Sequence, residues 1–211
     1  MLFRSYIAGA AGVMNEMGFA TLRVDMYGHG ESDGEFKNHT LFKWLTNAMT
    51  VIDYARTLPF VTDLFLSGHS QGGLTVMLAA ALKHEFIRGI MPLSPAVMIP
   101  EMARKGDFLG VQFDPDHIPE QLVMQDERIL GGNYIRAAQM IHVEDAIHRY
   151  TGPVLLVHSD TDEVVPCHFT EEAAQAYQNA RLVIIPDDTH CYDNHLDQVL
   201  EAIREWLREM R

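Results

Sequence analysis

Cysteine and basic residues are both scarce in this chain, and each shortage narrows what it can be. Two cysteines occur among 211 residues, Cys167 and Cys191, with no spacing that resembles a metal knuckle. The expectation is two reduced thiols in a cytoplasmic protein, because disulfides persist mainly in oxidising compartments. Lys and Arg number 16 against 29 Asp and Glu, giving a net charge of −13. A surface that acidic repels nucleic acid and anionic membrane, so the expected partners are neutral or apolar small molecules. Residues 1–6 carry one charge and no long apolar run, and read as neither a signal peptide nor a membrane span. Repeats, low-complexity tracts and Ser/Gly linkers are missing as well. What is present is 47% hydrophobic residues, enough for one domain with a sizeable core.

Hydrophobic periodicity divides the chain into alternating helices and strands. Residues 8–18 predict a short helix stopped by Gly18, and residues 21–25 a strand followed by a polar, glycine-punctuated loop to His39. Leu41, Trp44, Leu45, Ala48, Ile52 and Ala55 recur at helical spacing, and Pro59 ends that helix. Strands are expected at 63–67, 87–93, 154–157 and 182–185. Helices are expected at 71–84, 143–149 and 170–178, with a closing helix carrying Leu196, Val199, Leu200, Ile203 and Leu207 on one face. Strands alternating with helices imply right-handed crossovers and a parallel sheet, hence an α/β fold. Residues 96–142 break the rhythm and are expected to form a lid inserted above the sheet, between core segments 1–95 and 143–211.

Gly68-His69-Ser70-Gln71-Gly72 lies where a strand hands over to a helix, the context in which G-x-S-x-G presents a nucleophilic serine. A serine hydroxyl attacks poorly unless a base takes its proton. Gly68 and Gly72 are expected to be glycine because a side chain at either would crowd the turn. The partners should follow in the order acid, then histidine. After the strand at 154–157 come Asp160, Asp162 and Glu163; after the strand at 182–185 comes His190. Both clusters sit past the carboxyl ends of their strands, the edge where open parallel sheets bind ligands. Of the histidines after the last strand, His195 falls within the terminal helix, so His190 is the better base. Spacing alone leaves the acid open among the three carboxylates. His29 in Gly28-His29-Gly30 reads as structural and His69 as packing beneath the elbow. Gly9 and Gly12 follow no strand and so suggest no dinucleotide loop.

The stretch Asp25-Met26-Tyr27-Gly28-His29-Gly30-Glu31-Ser32-Asp33-Gly34, the elbow, Ser94-Pro95-Ala96, residues 157–166 and Asp188-Thr189-His190-Cys191-Tyr192 resemble α/β-hydrolases of the feruloyl (cinnamoyl) esterase group from about Val13 onward. The resemblance implies an α/β-hydrolase fold with a mainly parallel sheet, flanking helices and a small lid. It implies Ser70 as nucleophile, Asp162 as acid, His190 as base, and the backbone N–H of Gln71 as one oxyanion donor. Ser159 stands where family members carry glycine. The lid would shape a pocket for an aromatic acyl group, with Tyr134 and Gln125 as substrate-binding candidates beside a plain packing role. The loop expected to supply the second oxyanion donor would fall at or before Met1, so the chain is expected to lack its first strands and to be weakly active and poorly soluble.

The expected activity is serine carboxylester hydrolysis through an acyl-enzyme, on feruloyl or cinnamoyl esters. The alternatives are a monoacylglycerol-lipase-like or general carboxylesterase, and a fragment that keeps the triad but is catalytically silent. This chemistry calls for no metal or organic cofactor. A small-molecule ester is the expected partner, and the chain could form a homodimer.

Overall fold

The computed structural model describes residues 5–210. The elements begin with α1 (Ser5–Glu16), a 3-10 turn (Phe36–Asn38), α2 (Leu41–Arg56), β1 (Leu64–His69), α3 (Gln71–Leu82) and β2 (Ile87–Leu93). There follow α4 (Ile99–Lys105), β3 (Asp107–Phe108), β4 (Val111–Gln112), β5 (Gln121–Val123), β6 (Ile129–Gly131) and α5 (Gly132–Gln139). The chain continues through α6 (Val143–Arg149), β7 (Val154–Ser159), α7 (His168–Ala176), β8 (Ala180–Ile185) and α8 (Leu196–Glu209). These elements fall into two units, one made of residues 1–23, 63–96 and 146–211, the other of residues 24–62 and 97–145.

The first unit holds a four-stranded sheet in the order β1-β2-β7-β8, with every neighbouring pair parallel. Parallel neighbours need a crossover, which α3 supplies between β1 and β2 and α7 between β7 and β8. All four strands therefore end at the same edge. Every residue of β7 is buried, which is why it reads as a continuous run, Val-Leu-Leu-Val, with no polar alternation. One side of the sheet packs Met91, Leu93, Leu155 and Val157 against Ala10 and Val13 of α1 and Val199, Ile203, Trp206 and Leu207 of α8. Gly9 lets α1 approach α8 closely, since a β-carbon there would stand 3.3 Å from both Leu200 methyls. Helix α3 is buried from Gly73 through Ala81; apolar all round, it shows no face in the sequence because it has no solvent face to show.

The second unit is built on α2, α4, α5 and two short hairpins, β3–β4 and β5–β6. Arg104 Nη1 donates to the carbonyls of Gln139 and Ile141, and Gln139 Nε2 donates to those of Ala103 and Pro115, which joins α4 to α5. The glycine-punctuated loop folds around its own carboxylate. Asp25 Oδ2 accepts from the Glu31 N–H at 3.0 Å, and a β-carbon on Gly30 would fall 2.1 Å from that same oxygen. Only glycine fits there, at φ +61.

Two expectations about the secondary-structure elements differ from the structure. Residues 21–25 form no strand, although Thr-Leu-Arg-Val-Asp alternates like one. Alternation is a local signal, whereas a strand requires a partner, and no described segment pairs with these residues; Leu22 and Val24 are exposed. Within 96–142 short regular elements of two to eight residues alternate with loops. None is long enough to display a period.

Candidate active site

The backbone leaves β1 at His69 and enters α3 at Gln71, so Ser70 must turn it within a single residue. Its φ of 55 and ψ of −122 lie outside the regions L-residues favour, a conformation that costs about 1–3 kcal/mol. Hydrogen bonds hold it in place: the Ser70 N–H donates to the Leu93 carbonyl at 2.9 Å, and its own carbonyl accepts from Leu74 and Ala96 at 3.1 and 3.0 Å. The flanking glycines divide differently from expectation. A β-carbon on Gly68 would stand 2.4 Å from the Gly72 carbonyl oxygen, and one on Gly73 would stand 3.0 Å from Pro95. At Gly72 it would meet nothing within 4 Å. Crowding therefore requires glycine at 68 and 73, not at 72. Gly68→Ala is expected to lower the urea midpoint sharply, by the equivalent of about 3 kcal/mol or more, since backbone has to move. Gly72→Ala, inside a helix where alanine is the better former, should change stability by no more than about 1 kcal/mol.

The loop after β7 sorts its three carboxylates. Asp160, exposed, accepts from the Asp187 N–H at 2.8 Å, and Glu163 Oε2 accepts from the His190 N–H at 3.2 Å. Asp162 alone meets the imidazole, its Oδ2 lying 2.7 Å from His190 Nδ1. A carboxylate only accepts, so Nδ1 carries the proton and Nε2 is left able to take one. The other oxygen, Oδ1, accepts from the N–H groups of Val164 and Val165, each at 2.8 Å. Burial pushes the Asp162 carboxyl upward, but hydrogen bonds from His158, His190 and Val165 outweigh it and hold the group far below the usual carboxylate range.

Two hydroxyls, from buried Ser159 and exposed Thr161, stitch the acid-bearing loop to the base-bearing loop. Ser159 Oγ donates to the Asp188 carbonyl at 2.6 Å, and Thr161 Oγ1 to the same oxygen at 2.9 Å. The Asp188 carboxylate accepts from the N–H groups of Thr189, Asn194 and His195, so the turn carrying His190 winds around a buried anion. Just beyond, Tyr192 Oη donates to the Val157 carbonyl at 2.9 Å and Ser94 Oγ lies 2.8 Å from it. His69 packs its ring 4.5 Å from that of His190 and donates from Nε2 to the His190 carbonyl at 2.7 Å. Burial, followed by the neighbouring His190, pushes the His69 imidazole down to about 3, so it is neutral at any ordinary pH.

The remaining sequence candidates are placed as follows. Gln71 opens α3 directly after Ser70, so its N–H lies in the helix's first turn beside the serine. Tyr134 is buried within the second unit, its ring 4.9 Å from His39 and 5.4 Å from Phe108. Gln125, exposed on the β5–β6 turn, holds its amide against Gly110. The His29 ring packs edge-on with Phe36, His39 and Trp44. Sequence reasoning gave no role to His158 or Asp188. For His158 the available signal was its position four residues before Asp162, at the end of an otherwise apolar strand.

Comparisons with known proteins bear on the family and the fold. The family described as serine aminopeptidase, S33 matches residues 5–133, and one described as TAP-like protein matches residues 135–211. A structure of Est1E from Butyrivibrio proteoclasticus with ferulic acid bound is 55% identical, covers 98% of this chain and 83% of its own, and superposes with a TM-score of 0.96. The monoacylglycerol lipase of Paleococcus ferrophilus shares the fold at 20% identity and a TM-score of 0.74, over 96% of this chain and 88% of its own. Human palmitoyl-protein thioesterase ABHD10, mitochondrial, is 25% identical over 82% of this chain, which spans 58% of that relative's length. With an all-parallel sheet, a serine on a strained elbow and an aspartate–histidine pair at the same edge, the chain belongs to the serine aminopeptidase S33 family, within the α/β-hydrolase fold.

Proposed function

We propose that this protein hydrolyses carboxylic esters through an acyl-enzyme on Ser70, and that hydroxycinnamate esters such as feruloyl esters are its substrates. The observation that carries the substrate class is the likeness to Est1E, a protein with ferulic acid bound. Three features support the chemistry: the strained Ser70, the Asp162–His190 hydrogen bond, and their common position past parallel strand ends. Ser70 Oγ attacks the ester carbonyl as His190 Nε2 takes its proton. Asp162 keeps the proton on Nδ1 and stabilises the imidazolium. The tetrahedral oxyanion receives the Gln71 N–H. His190 returns its proton to the departing alkoxide, and water, deprotonated by the same nitrogen, releases the acid and restores Ser70.

In this reading residues 96–142 act as a lid that selects the acyl group. Gln125 would touch substrate directly. Tyr134, buried as it is, would act through the shape of its surroundings. Among the described residues no helix is long and apolar enough to cross a membrane. Two free cysteines fit a reducing compartment, and a cytoplasmic protein acting on a small ester, alone or as a homodimer, is the corresponding proposal.

The test is a substrate panel of methyl ferulate, p-nitrophenyl butyrate and monoolein. Methyl ferulate should give the highest kcat/KM, by about tenfold or more, because a pocket shaped for an aromatic acyl group discriminates through several apolar contacts. Preference for monoolein would transfer the assignment to a lipase-like enzyme. Turnover of none of the three would leave a silent fold.

A further inference from the structure

Asp162 has a second histidine partner that the triad does not require. His158, the fifth residue of β7, has no exposed surface. Its Nε2 lies 2.9 Å from the Val165 carbonyl and 3.1 Å from Asp162 Oδ2, and its Nδ1 lies 2.6 Å from Thr170 Oγ1 on α7. Both neighbours of Nε2 are acceptors. Nε2 therefore carries a proton whatever the charge of the ring, and shares it between a carbonyl, the nearer acceptor, and the carboxylate. Asp162 is then saturated. A carboxylate offers four lone-pair directions; Val164 and Val165 occupy the two on Oδ1, and His190 and His158 meet Oδ2. The side chain cannot rotate without abandoning a buried donor.

Resting on the esterase reading above, we infer that His158 is a positioning residue for the acid–base pair: its Nε2–H fixes the Asp162 carboxylate and, by competing for Oδ2, lowers the proton affinity of His190. A donor hydrogen-bonded to a carboxylate stabilises its charge and withdraws electron density from the oxygen that also faces His190. Removing that donor leaves His190 as the sole partner of Oδ2, which strengthens the pair and raises the pH at which the base becomes protonated. The other titratable groups around the pair are His69, Glu163, Cys167, Cys191 and Tyr192. His69 is pushed down to about 3 and Cys167 up to about 11, while burial raises Cys191 and Tyr192 as well. None of these four titrates where the base must work, and Glu163 meets His190 at the backbone N–H, not at the ring.

The experiment compares pH profiles of kcat/KM for methyl ferulate, with rates normalised to the active-site titre so that unfolded molecules do not count. His158→Met keeps volume and removes the donor. It should lower kcat about tenfold with KM within about twofold, and move the acidic limb upward by about half a pH unit. His158→Gln, which restores an N–H near the same place, should recover most of the rate and return the limb toward its original position. Thr170→Val, which frees the ring without deleting it, should move the limb in the same direction by less, and it decides the matter if His158→Met does not fold. An acidic limb that stays in place in both His158→Met and Thr170→Val, or in Thr170→Val alone when the other fails to fold, overturns the inference. Ser70→Ala run alongside separates the two levels. If it keeps full turnover, the esterase reading falls and this role with it; if it is inactive while the limbs stay put, only the role of His158 is rejected.

Discussion

Ser70→Ala is expected to lower ester turnover by about 10⁴-fold or more, His190→Ala by a similar factor, and the double variant by scarcely more than either alone. The non-additivity follows from the way the groups work. The hydroxyl is a useful nucleophile only while Nε2 can accept its proton, and the imidazole accelerates nothing without a hydroxyl to deprotonate. What survives all three changes is binding and the Gln71 oxyanion donor, which leaves a residual rate above that in water. Folding should suffer little from Ser70→Ala. The strained φ of 55 is imposed by the backbone bonds to Leu93, Leu74 and Ala96, none of which involves the side chain. Stopped-flow or steady-state hydrolysis of methyl ferulate, with thermal melting as the control for folding, checks both points. Singles whose losses simply multiply in the double would mean that Ser70 and His190 act separately.

The second large effect separates neighbouring aspartates. Asp162→Asn should cost about 10⁴-fold in kcat, because an amide can present its NH2 to His190 and turn the ring to the tautomer that cannot accept the serine proton. Asp160→Asn should leave kcat nearly unchanged, since the Asp160 carboxylate is exposed and accepts from the Asp187 N–H rather than from His190. The same pair differs in acid stability. The Asp162 carboxyl is depressed in the folded state, so its contribution is fully present above the unfolded value near 4 and is lost as pH falls through the folded value. Asp162→Asn lacks that contribution, and its stability should therefore decline less steeply than the parent's below about pH 4. Urea unfolding at pH 7 and pH 3 measures it. An Asp160→Asn variant slower than Asp162→Asn would reverse the assignment of the acid.

The sheet was legible because its strands are short apolar runs between clear helices; β2 and α6 fall at the expected residues, and the ends of β1, β7 and α7 move by one or two. Residues 21–25 misled because alternation describes a strand's faces but not its neighbour. Periodicity in α2 foretold that one face is buried, yet not that this helix belongs with residues 97–145. Local sequence says that a surface is covered and never by what. At the candidate site the elbow was legible from its motif and its strand-to-helix position. The need for glycine at 73 instead of 72 was not, because it arises from Pro95, a contact made only once β2 has returned beside β1. Choosing Asp162 over Asp160 and Glu163 needed the resemblance, since two residues of spacing along one loop carry no direction. His158 was overlooked because the expected strand stopped at residue 157 and left it in the loop beyond, and its partners Thr170 and Val165 come together only when the chain after β7 folds back on it.

The central claim is that an ester's acyl group passes through Ser70. Mixing the protein with excess methyl ferulate and quenching in acid within the first turnovers, followed by mass spectrometry of its peptides, tests it most directly. The account predicts a feruloyl adduct on the peptide containing Gly68-His69-Ser70-Gln71-Gly72, absent from Ser70→Ala and accumulating in His190→Ala only slowly. An adduct on another residue, or ester hydrolysis with Ser70→Ala as fast as the parent, would contradict it.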